Sequence, residues 1–157
     1  MICLKISWKK LAVCVAIPLA VGGLAALLTS NAMDAFGQLR QPPLSPPAWL
    51  FPVAWTILYA LMGLASYFAA DSSEQSRDAL MLYAVQLAVN FIWPILFFSI
   101  AAYLFALVWL VLLVVLVALN VVAFWRIDKR AGWLMVPYLA WVCFATYLNA
   151  GIWYLNR

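Results

Sequence analysis

The sequence predicts an all-α fold, an integral membrane bundle of five transmembrane helices, on three observations. Hydrophobic residues make up 69% and charged residues 9% of the 157 positions, and the mean hydropathy is +1.05. A soluble domain needs a polar shell that this composition does not supply. The charges also fall into a few clusters: Lys5, Lys9 and Lys10; Asp34 and Arg40; Asp71, Glu74, Arg77 and Asp78; Arg126, Asp128, Lys129 and Arg130; and Arg157. A charge at the centre of a membrane helix costs about 2.5 to 3.5 kcal/mol, so these clusters mark where the chain leaves the bilayer. Finally, the stretches between them approach the roughly 20 residues that a crossing helix requires.

The expected spans are residues 11–30, 47–70, 79–99, 103–125 and 132–154, in one domain over 1–157. The first carries Pro18 and the small residues Gly22 and Gly23, which leave room for a flat ligand or for close helix packing. Between the first two spans lies a lid loop, 31–46. Five of the eight prolines stand in the block Pro42-Pro43-Leu44-Ser45-Pro46-Pro47 through Pro52, at the mouth of the second span. Proline fixes φ and keeps the preceding residue extended, so Pro42, Pro43, Pro46 and Pro47 stiffen the lid, and Pro47 suits a first helical position. Residues 79–125 form one uncharged run. As a single helix it would reach about 70 Å at 1.5 Å per residue, against a hydrocarbon core of about 30 Å, so it must turn back once, near 99–103. Pro94 and Pro137 interrupt the third and fifth spans.

Five spans put the termini on opposite faces. Seven Lys and Arg fall on the face with the N-terminus and two on the other, which by the positive-inside bias predicts a cytoplasmic N-terminus and an external first loop and C-terminus. Membrane lipid headgroups on the basic face account for the net charge of +4, and no nucleic-acid partner is implied. Residues 1–30 are long for a signal peptide and show no clear cleavage site. Cys14 precedes its apolar stretch, unlike a lipidation site. Cys3, Cys14 and Cys143 have no metal-ligand spacing and imply no disulfide framework; no metal site is expected.

Residues three, four and seven apart share a helix face. That rule gathers Trp55, Tyr59 and Met62 on the second span, Tyr83, Gln86, Asn90, Trp93 and Phe97 on the third, and Tyr138, Trp141, Ala145 and Leu148 on the fifth. These are the expected inward stripes. Asn120 reads as interhelical hydrogen-bond glue, worth roughly 0.6 kcal/mol. Gln86 and Asn90 share a face with Trp93 and read equally as glue or as pocket. Of nine tryptophans, Trp8, Trp49, Trp125, Trp133 and Trp153 lie near span ends, as in an aromatic belt. Trp55, Trp93, Trp109 and Trp141 lie deeper.

The Pro42 to Tyr67 block resembles the signature of the tryptophan-rich sensory protein family, also called the translocator protein or peripheral benzodiazepine receptor family. Three further blocks agree in order: Gln86-Leu87-Ala88-Val89-Asn90-Phe91-Ile92-Trp93-Pro94 with Phe97-Phe98, then Trp125-Arg126-Ile127-Asp128, then Pro137-Tyr138-Leu139-Ala140-Trp141 running to Leu148-Asn149. The resemblance implies a five-helix bundle, commonly a homodimer, with a pocket beneath the first loop. It implies porphyrins, cholesterol and benzodiazepine-type compounds as ligand classes, Trp55 and Trp141 at the porphyrin pocket, and Ala145 at the small position that tunes fit. Trp109 stands where the family often carries a carboxylate, and Phe105 where some members have a tryptophan. The cholesterol motif is present only formally, as Leu148, Tyr154 and Arg157, with Ala150 at the tyrosine position of animal members.

The leading functional expectation is a receptor or sensor for a tetrapyrrole such as protoporphyrin IX or a haem-related ring, acting in porphyrin regulation, transport or light-dependent degradation. Aromatic walls, few polar groups and a stiff lid suit a large planar apolar ligand. The tetrapyrrole is ligand rather than required cofactor. A transporter of porphyrins or sterol-like lipids is the alternative, set back by the lack of charge in any span and the odd span number. With no histidine in the chain and no intramembrane carboxylate, conventional acid–base catalysis and axial-histidine haem ligation are excluded. Light-dependent oxidation of a bound porphyrin, with Trp55 and Trp141 as its redox residues, is the one enzymatic activity the resemblance suggests.

Overall fold

The computed structural model describes residues 6–71 and 73–157; Cys3 and Lys5 lie outside the described residues. Six helices follow in order: α1 Trp8–Thr29, α2 Met33–Gly37, α3 Leu50–Ala69, α4 Glu74–Pro94, α5 Tyr103–Ile127 and α6 Lys129–Leu155. Five helical segments are long and apolar enough to cross a membrane, and the short α2 lies within the lid loop. The protein is an all-helical, multi-pass membrane bundle. In hydrocarbon a helix satisfies its own backbone groups, which is why the apolar stretches take this form.

Helix ends follow local caps rather than the edges of the charge-free stretches. Ser73 accepts from the Ser76 backbone N–H at 3.0 Å, so α4 starts at Glu74 with a polar first turn outside the apolar stretch. Asp128 accepts from the Arg130 backbone N–H at 2.8 Å and starts α6 at Lys129. The Arg130 side chain also holds the Asp128 carboxyl below the usual carboxylate range. Helix α3 begins at Leu50, three residues beyond Pro47. The Leu50 N–H donates to the Pro47 carbonyl at 3.0 Å, so Pro47 stands in a turn instead of opening the helix. Pro52 takes the first-turn position, where a missing N–H has no cost.

The long uncharged run reverses between α4 and α5. Beyond Pro94 the chain widens into a π-helical turn, Ile95–Ser99, closed by the Ile100 N–H on the Ile95 carbonyl at 3.0 Å. Ala101 then takes a left-handed backbone with φ 55°. In the assembled bundle α1 packs on α3 and α4, α3 on α6, α6 on α5 and α5 on α4, which closes a ring. Met62, Leu110, Leu113, Val117, Phe124, Met135 and Val142 fill its interior, while Leu24, Leu27, Val108, Val111, Val115 and Leu119 face outward. An outward apolar surface is what lipid tails solvate, so helix association rests on close packing and internal hydrogen bonds.

Two glycines test that packing. A Cβ on Gly63 would lie 2.5 Å from Val15 Cα and 2.6 Å from the Cys14 carbonyl oxygen, both backbone atoms of α1. Gly23 has nothing within 4 Å of the same position. Gly63→Ala should therefore destabilise the detergent-solubilised protein by about 1 to 3 kcal/mol through overpacking. Gly23→Ala should be neutral or stabilising by up to about 1 kcal/mol, since alanine is the better helix former. Thermal unfolding of the two variants side by side checks the ranking.

Candidate functional site

A cavity of about 390 Å³ opens among α1, α3, α4 and α6, beneath the lid loop. Its inner end is set by Gly22 and Tyr59. A Cβ on Gly22 would overlap the Tyr59 ring, so glycine lets α1 lie directly on it. The Tyr59 ring stacks on Trp55 with centroids 5.5 Å apart. Trp55 lies 6.5 Å from Trp93, and Trp93 stacks on Phe97 at 5.4 Å. This line of four rings forms one wall, and Ala145 and Leu148 of α6 contribute small and aliphatic surface to the cavity. Among the described residues, no charged side chain lines it.

The polar atoms around the cavity are engaged with each other. The Tyr59 hydroxyl donates to Asn90 Oδ1 at 2.7 Å, Asn90 Nδ2 donates to the Tyr138 hydroxyl at 2.6 Å, and that hydroxyl donates to Gln86 Oε1 at 2.9 Å. Gln86 Nε2 ends the chain on Met62 Sδ at 3.9 Å. Separately, Trp93 Nε1 donates to Asn149 Oδ1 at 3.1 Å, and Asn149 Nδ2 donates to the Tyr103 carbonyl at 2.9 Å. The wall is thus held from behind by amides. What it presents inward is aromatic carbon.

Eight of the sequence-derived residues, Gly22, Trp55, Tyr59, Asn90, Trp93, Phe97, Ala145 and Leu148, line this cavity. Three others stand outside the wall. Gln86 and Tyr138 are fully buried within the hydrogen-bonded chain, so of the two readings Gln86 takes that of glue, and Asn90 serves as both. Trp141 lies one ring behind the wall: it meets Phe51, a lining residue, edge-on at 6.1 Å, and packs on Phe144 at 5.7 Å. Its Nε1 has no partner among the described residues.

Lining residues that helical spacing missed include Phe36, Phe51, Phe98 and Asn149. Spacing places Phe97 inward from Trp93 but not its neighbour Phe98. The π-helical turn adds a residue to that turn and brings both rings to the cavity. Phe36 comes from α2, a helix too short for periodicity to reveal.

The lid is fastened at two places. Phe36 meets Phe98 edge-on at 5.2 Å and Phe97 at 5.8 Å. Farther along, Pro42 sits on Gly151, where a Cβ would approach it to 2.5 Å. The Tyr147 hydroxyl donates to the Pro43 carbonyl at 2.7 Å. The Arg40 N–H donates to Asn156 Oδ1, and Asn156 Nδ2 donates back to the Arg40 carbonyl, both at 3.0 Å. Pro42, Pro43, Pro46 and Pro47 are outside the cavity wall; Gln41 and Ala48, which flank that stretch, line it.

The TspO/MBR family model matches residues 14–155. The chain belongs to that family. It is 39% identical over 150 residues to "Tryptophan-rich protein TspO" of Chlorobaculum tepidum, covering 93% of this chain and 95% of the relative. It is 42% identical over 121 residues to "Tryptophan-rich sensory protein" of Cereibacter sphaeroides, covering 77% and 76%. With "Translocator protein" of Bos taurus it shares 37% identity over 126 residues, 78% of this chain and 75% of the bovine one. The matched residues contain every residue that lines the cavity.

In this TspO/MBR protein, Tyr138 joins Asn90 to Gln86. Tyr138→Phe keeps the ring but leaves Asn90 Nδ2 and Gln86 Oε1 without their partner in a dry core. The expected loss is about 1 to 3 kcal/mol, above the roughly 0.6 kcal/mol typical of a single membrane hydrogen bond. Unfolding in detergent measures it, and a change below about 0.5 kcal/mol would show that the chain is not what holds α4 to α6.

Proposed function

We propose that the cavity binds a tetrapyrrole, protoporphyrin IX or a haem-related ring, and that the protein acts as a membrane receptor or sensor in porphyrin regulation, transport or light-dependent degradation. The line of rings Tyr59, Trp55, Trp93 and Phe97 beneath a fastened lid is the observation that carries this reading. A planar apolar ligand gains stacking and area burial there, and the volume is in the range of small-molecule sites, about 300 to 1,000 Å³. Transport of porphyrins or sterol-like lipids is the second reading. It draws on the rim, where Ala26, Ala48 and Pro52 both line the cavity and stand exposed, a lateral route for an apolar molecule.

Titration with protoporphyrin IX, haem and cholesterol, read by tryptophan fluorescence, tests the proposal. Trp55→Phe and Trp93→Phe should each weaken protoporphyrin binding about two- to tenfold, because phenylalanine keeps a ring but loses stacking area. Trp141→Phe, one ring behind the wall, should weaken it less, and Trp153→Phe at the bundle end should not. Light-driven loss of bound porphyrin should fall further than binding in Trp55→Phe, since an indole oxidises readily and a phenyl does not. Equal effects of Trp55→Phe and Trp153→Phe would refute the site. Binding without any light-dependent change in the wild type would leave a receptor without photochemistry.

We also propose that the N-terminus is cytoplasmic and the lid external, on the seven-to-two basic asymmetry. A reporter fused after Arg157 should show external-type activity; cytoplasmic-type activity would reverse the orientation.

A further inference from the structure

At the end of the bundle away from the lid, α4 and α5 enclose a second groove of about 450 Å³. Its floor is Ala79, Leu82 and Ala123, and its rim is Glu74, Gln75, Asp78 and Arg126. Residues 74, 78 and 82 recur every four positions, so they form one face of α4. Just below, fully buried Asn120 of α5 donates from Nδ2 to the Ala79 carbonyl at 3.3 Å. The two helices are therefore clipped together at the groove floor, which gives it a fixed shape.

The rim carries opposite charges that do not meet. Asp78 and Arg126 share the groove, yet the ion pairs among the described residues are Arg77–Glu74 at 3.4 Å and Arg130–Asp128 at 2.8 Å. A cation and an anion thus stand apart on one rim, with apolar surface between and below them. The level in the membrane follows from the neighbours. Arg126 is in the last turn of α5 beside Trp125, whose ring packs at 4.8 Å on Trp133, and tryptophans at helix ends sit at headgroup depth.

We propose that this groove binds a phospholipid with a primary-ammonium headgroup, phosphatidylethanolamine, its phosphate on Arg126, its ammonium on Asp78 and an acyl chain over Ala79, Leu82 and Ala123. A guanidinium matches phosphate oxygens with paired N–H donors. A primary ammonium brings three N–H donors to a carboxylate. A choline headgroup has none, and a glycerol headgroup offers Asp78 no positive charge. Glu74 is paired with Arg77, so among the described residues the unpaired carboxylate on the α4 side of the rim is that of Asp78, and it sets the preference for a cationic headgroup.

The test is native mass spectrometry of the full chain in detergent with an equimolar mixture of phosphatidylethanolamine, phosphatidylcholine and phosphatidylglycerol of identical acyl chains. Ion pairs at an exposed rim are weak, so the expected excess of the ethanolamine lipid over each of the others is about two- to fivefold. Asp78→Asn should erase the preference over the choline lipid, and Arg126→Gln should reduce all phospholipid adducts. Both positions are exposed, and unchanged thermal unfolding in lipid-free detergent establishes that the variants are folded. The charge-exchanged double variant Asp78→Arg, Arg126→Asp keeps both signs on the rim and should retain the preference. Equal adducts of the three lipids in the wild type, a preference for the glycerol lipid, or a preference that survives Asp78→Asn would overturn the proposal.

Discussion

The hydrogen-bonded chain from Tyr59 through Asn90 and Tyr138 to Gln86 ties α3, α4 and α6 together at the depth where the cavity begins. Lipid tails offer no hydrophobic gain for bringing these helices together, and an amide left alone in hydrocarbon is costly. Each member of the chain makes sense only if the next is in place. A donor-to-acceptor order running through three helices fixes their relative height as well as their contact. The aromatic wall depends on that registry, since Trp55 stacks on the same Tyr59 ring whose hydroxyl is committed to Asn90.

The other end of the cavity depends on a departure from regular helix. The π-helical turn after Pro94 delivers Phe97 and Phe98 together, and the lid closes by placing Phe36 against both. Asn149 takes part in the same arrangement: it accepts from Trp93 and donates to the Tyr103 carbonyl, so one α6 side chain positions a wall ring and the start of α5. The proline-rich stretch is fastened to α6 through Gly151, Tyr147 and Asn156. Wall and lid therefore share α6 as their support. A displacement of α6 would be felt at both.

The architecture was legible in the sequence because charge placement is a coarse and strongly enforced signal: the penalty for a buried charge leaves few alternatives for where spans end. Helix boundaries were less legible, since Ser73 and Asp128 extend α4 and α6 into polar sequence that hydropathy assigns to loops. Spacing at 3.6 residues found Asn90, Trp93 and Phe97 as one face and placed Gln86 on it too. Along a face, however, depth separates pocket from core, and Gln86 lies below the cavity floor, where only contacts tell wall from support. Trp141 shows the same limit. It is on the correct helix near Ala145, but Phe51, in the first turn of α3, comes between it and the space. Phe98 and Phe36 were beyond reach because a π-helical turn and a five-residue helix leave no periodic trace.

A cavity whose hydrogen-bonding groups are already paired selects differently from one with free donors and acceptors. A site built around an unmet polar group rejects ligands that fail to satisfy it by large factors, whereas an apolar wall separates ligands that differ by a methylene by only about 1 to 3 kcal/mol. Here Tyr59, Asn90, Trp93 and Asn149 have their partners within the protein, so under the proposed reading the cavity sorts ligands by breadth, flatness and apolar area. Under the proposed reading such a site admits a range of planar rings with graded affinity, and sharp discrimination has to come from the rim and the lid. The outer rim is where exposed polar residues occur, with Ser30 and Gln41 at the edge of the cavity. Under that proposed reading, the polar edge of a bound ring, not its face, is then the part of the ligand that this protein reads most closely.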